Sequence, residues 1–264
     1  MSATVTSAVV TGAARGFGKE IARRLAARGH RVVITDLHAD RVGATAEELG
    51  VTGLVADARR AADHRKAAEA AAELGPVGVW VNNAGVLRAG KAWELSDDDV
   101  ALHLDVNVLG VVLGSRAAVD VMRPRGGHIL NIASISAHGP VPGLAVYAAS
   151  KAAVLSFTTS LQGDLDLARL PIRAHALCPD AADTALVRDE QHHEDTAMLF
   201  TQGTLLTPQA VADAGMALIE GRRIVRTVPG VRGGLLRFAQ LVPSVALPVL
   251  ARMRRQGDRR RQGA

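Results

Sequence analysis

Six short runs in this chain are apolar on successive residues rather than on alternate ones: 8–11, 31–36, 53–57, 77–82, 127–134 and 171–178. The early ones alternate with Ala-rich helical stretches, 16–29, 39–49 and a third ending at Leu74. Strands buried on both faces and joined through helices make a parallel sheet, because the crossovers cover both of its sides. Right-handed crossovers then predict an α/β fold: a single Rossmann-like, doubly wound parallel sheet with helices on both faces. Gly29 and Gly50 stop the first two helices, and Gly75-Pro76 the third. Ser96 followed by Asp97, Asp98 and Asp99 starts a later helix, with acids at its positive end.

Hydrophobic residues make up 48% of the 264, too many for a disordered chain. No internal repeat or linker divides it, so residues 1–228 are expected as one domain with a lid at 181–206. Residues 229–264 are a basic extension. The formal charge of +5 is unevenly placed: residues 221–264 hold eleven arginines and one acid, whereas residues 1–220 carry a net −5. That split argues against a nucleic-acid-binding body. The lone cysteine, Cys178, cannot close an intramolecular disulfide, which points to a reducing, cytoplasmic setting. No secretory leader is expected from residues 1–6. The apolar stretch 241–251, interrupted by Pro243 and Pro248, is shorter than the roughly 20 residues of a membrane-crossing helix.

Between the first strand and first helix lies Thr11-Gly-Ala-Ala-Arg-Gly-Phe-Gly18. Gly12 permits a tight turn. Gly16 and Gly18, flanking Phe17, let backbone and helix approach a pyrophosphate, and the helix N-terminus offers free N–H groups to it. Asp36, 24 residues after Gly12, ends the second strand, where a carboxylate accepts ribose hydroxyls and repels a 2′-phosphate. Arg15 argues the other way, since it can pair with that phosphate. Direct repulsion is given more weight, so NAD is the preferred cofactor and NADP stays open.

With these residues the chain resembles the short-chain dehydrogenase/reductase family. Its Thr-Gly-x-x-x-Gly-x-Gly loop is followed, in the family's order, by Asp57, Asn82-Asn-Ala-Gly85, Asn107 in Asn-Val-Leu-Gly110, Ser134, and Tyr147-Ala-Ala-Ser-Lys151. Ser134 precedes Tyr147 by 13 residues, and the resemblance covers about residues 5–228. It implies that Asp57 caps the adenine beside Ala58, and that Asn83, Ala84 and Gly85 line the cofactor groove. Pro179 and Thr184 would border the nicotinamide, Thr184 reaching its carboxamide. It also implies a homodimer or homotetramer built through helices around 97–123 and 145–168.

Tyr147 and Lys151, four apart in a helical stretch, share one face. A nearby ammonium is expected to lower the tyrosine pKa from its usual value near 10, so that Tyr147 exchanges a proton with an alcohol or alkoxide. Ser134 would hold the substrate oxygen, and Asn107 a water linking Lys151 to solvent. The expected activity is an NAD(P)-dependent interconversion of a secondary alcohol and a ketone, without metal. Val141, Pro142, Leu144, Leu186 and Met198 suggest an apolar substrate. The rivals are a catalytically silent cofactor-binding scaffold, and a dehydratase or epimerase of the same fold.

Three features depart from this pattern. Asp180 stands where the family usually has glycine after the proline; it is expected to point into the loop without a role, the alternative being that it tightens oxidised cofactor or contacts a polar substrate. His192-His-Glu-Asp195 lacks a third ligand with metal-site spacing. The tail stripe Leu235, Leu236, Phe238, Leu241, Val242 can pack on the body, on another subunit or, with its arginines, on anionic lipid. Past Gly257 a solvated, partly disordered end is the preferred reading.

Overall fold

The computed structural model describes residues 5–262. The first four residues of the expected catalytic domain and the last two of the extension lie outside it. In chain order come β1 (Ser7–Thr11), α1 (Gly16–Ala27), β2 (Arg31–Asp36), α2 (Ala39–Leu49), β3 (Thr52–Val55), α3 (Ala61–Leu74) and β4 (Val77–Asn82). Then follow α4 (Asp97–Leu104), a π-helical turn (Asp105–Leu109), α5 (Gly110–Met122), β5 (Gly127–Ile132), α6 (Ala145–Leu167) and β6 (Ile172–Pro179). The chain closes with α7 (Ala185–Arg188), α8 (Pro208–Ile219), β7 (Val225–Val228), α9 (Gly230–Leu241) and α10 (Pro243–Gln262).

The sheet is parallel throughout, in the order β3-β2-β1-β4-β5-β6-β7. Successive side chains serve opposite layers, as strand geometry requires. Val10 and Ile34 pack with Ile21, Leu25, Val211 and Leu218, while Val9 and Val33 pack with Ala67, Trp80, Met122 and Leu165. The strand order reverses between β1 and β4. In doubly wound sheets the crevice at the carboxyl ends of such strands is where ligands bind.

The helix stops fall where glycine allows them: Gly29 and Gly50 have φ of 85° and 64°. At the start of α4, Ser96 Oγ accepts the Asp99 N–H at 3.1 Å, with three acids in the first turn.

Two expectations are corrected. A seventh strand, β7, joins the sheet beside β6, where none was expected. Nor is the segment past Gly257 a loose end. It continues α10 to Gln262, Gly257 packs against Ala197, and Arg260 and Arg261 donate to the carbonyls of Thr201, Gln191 and His192.

Candidate active site

A cavity of about 530 Å³ opens at the carboxyl ends of β1 and β4. Its wall includes Gly12, Arg15, Gly16 and Phe17 of the glycine loop, and Asp36, Asp57 and Ala58 after β2 and β3. Asn83, Ala84, Gly85, Ser134, Tyr147, Lys151, Pro179 and Thr184 continue it. Gly18 and Asn107 are absent from the wall.

The glycines keep this crevice clear. A Cβ on Gly12 would stand 2.6 Å from Ala84 Cα, and one on Gly18 2.7 Å from Gly12 O. Gly12 and Gly16 both have φ of 60°, a region that costs an L side chain strain. Asn83 Nδ2 donates to Thr11 O and Gly12 O, and the Asn83 and Ala84 N–H groups donate to Thr11 Oγ1. Loop and β4 end are thus locked together. Asp36 accepts the N–H groups of Ala14 and His38, each at 3.2 Å, and so turns a fixed carboxylate to the cavity. A shape held open by glycine, with a helix N-terminus and an anchored acid, suits an adenosine dinucleotide.

The cations nearby are engaged. Arg15 reaches across to Asp189 at 3.2 Å. Arg59 clasps Asp57 with Nε and Nη2, and Asp57 is held below the usual carboxylate range chiefly by that contact.

At the other end, α6 carries Tyr147 and Lys151, and Ser134 follows β5. Tyr147 packs with Leu87, Ala89 and Leu144, flanked by Val141, Leu186 and Leu199. Lys151 Nζ donates to Ile132 O at 3.0 Å and lies 5.8 Å from the Tyr147 ring centre. The expected lowering of the tyrosine pKa is not what this environment gives. Burial of the phenolate dominates and pushes Tyr147 up to about 12, with the Ser134 hydroxyl pulling the other way. Burial likewise brings Lys151 down to about 8.

Asn107 lies in the π-helical turn, where one extra residue rotates its side chain inward. Its Oδ1 accepts the Val86 N–H at 2.8 Å, and its Nδ2 donates to Val86 O and Ser150 Oγ. Asn107 Oδ1 and Lys151 Nζ approach the same point, 3.2 and 3.4 Å from where a Gly85 Cβ would sit.

Asp180 does not idle in the loop. It is buried, its Oδ1 accepts the Ala181 N–H at 2.8 Å, and its Oδ2 lies 2.8 Å from Arg232 Nε of α9. Aspartate is tolerated because its φ lies outside the left-handed region that would demand glycine. Residues of the extension missed by sequence reasoning also line the cavity: Arg232, Leu236, Leu250 and Met253. The apolar stripe signalled that the tail packs somewhere, without showing where.

An acid-anchored crevice at the carboxyl ends of a parallel sheet, running into a buried tyrosine–lysine corner, defines a Rossmann-like α/β protein. Comparison with known proteins places it more closely. The sequence profile described as short chain dehydrogenase matches residues 6–195, and the chain belongs to the short-chain dehydrogenase/reductase family. It is 32% identical over 265 residues to a Mycobacterium tuberculosis protein named "Probable oxidoreductase EphD", a match covering 93% of this chain and 44% of that protein. The chain thus spans less than half the length of that relative. Among solved structures, a short-chain dehydrogenase/reductase from Burkholderia phymatum in complex with NAD is 29% identical. That match has a TM-score of 0.82 and covers 90% of this chain and 93% of the other. A variant of actinorhodin polyketide ketoreductase with NADPH is 32% identical, with a TM-score of 0.77, covering 87% and 97%.

Proposed function

We propose that the chain interconverts an apolar secondary alcohol and its ketone, with NAD preferred over NADP and Tyr147 as acid and base. One observation carries this reading: a single cavity joins the glycine loop and Asp36 to Ser134, Tyr147 and Lys151. When bound, the nicotinamide supplies or takes the hydride. In the reducing direction Tyr147 donates its phenolic proton to the developing alkoxide, and Ser134 holds that oxygen. In oxidation the alcohol proton returns to the phenolate. The raised pKa keeps Tyr147 protonated at neutral pH, which suits reduction. Lys151, brought near neutrality, reprotonates the phenolate, and Asn107 is assigned to a relay water between Lys151 and solvent.

Among the cofactor residues, Gly12, Gly16, Gly18 and Phe17 are assigned to the pyrophosphate. Asp57 and Ala58 are assigned to the adenine, and Pro179 and Thr184 to the nicotinamide side. Preference for NAD rests on Asp36 together with the engagement of Arg15 by Asp189 and of Arg59 by Asp57. The apolar surroundings of Tyr147 support an apolar substrate. A homo-oligomer through α4, α5 and α6 is supported by exposed Leu104, Leu109 and Leu167 on or beside these helices. Buried Cys178 suits the reducing, cytoplasmic setting we assign.

The test is calorimetric titration of the protein and of Tyr147→Phe with NADH and with NADPH, followed by turnover on apolar ketones. The expected result is tighter NADH binding in both proteins and a loss of at least about 100-fold in turnover for Tyr147→Phe. Tighter NADPH binding overturns the cofactor preference, and surviving turnover overturns the role of Tyr147.

A further inference from the structure

The two helices of the extension use their arginines in two ways. Toward the body, Arg232 meets Asp180, Arg254 meets Asp195 at 2.6 Å, and Arg260 and Arg261 bond to backbone carbonyls. On that side Leu236, Leu250 and Met253 line the cavity, and Gly257 is buried. The other faces are left bare. In α9, Val231, Leu235, Phe238 and Leu241 recur at helical spacing with 79, 65, 65 and 78% of their surface exposed. In α10 the outward face begins with exposed Val245 and Val249 and continues, on the same helical arc, with exposed Arg252, Arg255 and Arg259. Among the described residues, none of these three arginines has a carboxylate within ion-pair distance. The only acid of the two helices, Asp258, is paired with Arg261 at 3.3 Å.

We infer that this outer surface of α9 and α10 docks on an anionic lipid bilayer surface. The helices lie on the membrane, and no helix among the described residues is long and apolar enough to cross it. The side chains match a headgroup boundary: aliphatic and aromatic groups enter it, and unpaired arginines meet the lipid phosphates. A two-fold contact between copies would set the same three arginines against their counterparts with no acid on the face to compensate. A nucleic acid would use the arginines and leave Leu235 and Phe238 in water. The same helices wall the apolar cavity, so docking would place that cavity's wall beside the lipid.

The test is co-sedimentation of the full chain with vesicles of phosphatidylcholine alone and of phosphatidylcholine mixed with phosphatidylglycerol. Each arginine near an anionic surface contributes about fivefold to partition. Binding is therefore expected to be at least about tenfold tighter to the mixed vesicles, and to weaken as salt rises. Leu235→Asp with Phe238→Asp should abolish binding. Arg252→Gln with Arg255→Gln and Arg259→Gln should weaken it at least about tenfold. Both variants alter exposed positions, and NADH titration checks that their fold is intact. No binding to mixed vesicles, equal binding to both vesicles, or unchanged binding in either variant overturns the proposal. So does light scattering that shows the Leu235→Asp, Phe238→Asp protein as a smaller oligomer than the parent, since the face would then belong to a second copy.

Discussion

One buried ion pair, Asp180 with Arg232, is among the contacts that hold the extension to the body. Burial raises the Asp180 pKa, and the Arg232 charge opposes that rise. Removing one partner from a buried pair strands the other, which costs more than the pair is worth. Arg232→Leu should therefore lower stability by roughly 2–4 kcal/mol at neutral pH. Adding Asp180→Gly, which restores the family's usual residue and removes the stranded carboxylate, should recover most of that loss. Urea midpoints of the parent, single and double proteins read this out. A double variant no more stable than the single would show that Asp180 is not held by this pair. The departure at 180 was legible in the sequence. Its partner was not, because Arg232 lies 52 positions on and only the packing of α9 brings it there.

At the scale of elements, the interior strands were legible because each is a run buried on both sides. β7 was not: its four residues, Val-Arg-Thr-Val, set two polar residues between two valines and lie half-buried at the sheet edge. Tyr147 and Lys151 were legible as a helical pair, yet their joint burial, which raises one pKa and lowers the other, is a property of the packed site. Packing between elements also sets what α5 can carry. Asn82 Nδ2 donates to Asn131 Oδ1 at 2.8 Å and to Ser115 Oγ at 3.1 Å, Asn131 Nδ2 donates to Thr158 Oγ1, and Trp80 Nε1 donates to Asn82 Oδ1. This buried chain joins β4, β5, α5 and α6. It has room only because residue 114 is glycine, since a Cβ there would collide with Asn82 Oδ1 and stand 3.0 Å from Asn82 Cγ. Gly114→Ala should cost roughly 2–4 kcal/mol through overpacking and lost hydrogen bonds. Gly163→Ala in α6, where a Cβ meets nothing within 4 Å, should instead gain about 0.5–1 kcal/mol of helix propensity. Urea unfolding of the two variants compares the signs. An equal effect at both sites would mean that the Asn82 network does not constrain α5.

For the whole molecule, burial of three titratable groups sets the alkaline limit of stability. Lys151 stands at about 8 against an ordinary 10.5, so between those values the unfolded chain binds more protons and stability rises with pH. Cys178 and Tyr147 stand at about 12 against 9.0 and 10.0. Above those ordinary values the unfolded chain gives up its protons first and the folded one keeps them, so stability falls as pH rises. The thiol and the lysine oppose one another up to 10.5, and beyond it the two buried acids act alone. Tyr147→Phe isolates the phenol's contribution, because phenylalanine fills the site and cannot ionise. The stability of the parent relative to Tyr147→Phe should decline by roughly 1 kcal/mol between pH 10 and pH 11. Below pH 9 the difference should be flat. Urea unfolding of both proteins at stepped pH measures that difference directly, and a gap that stays constant through pH 11 would mean that Tyr147 is not buried as a neutral phenol. The same burial that keeps the proton on Tyr147 thus makes the fold sensitive to alkali, and one substitution reads both this sensitivity and the proposed role in reduction.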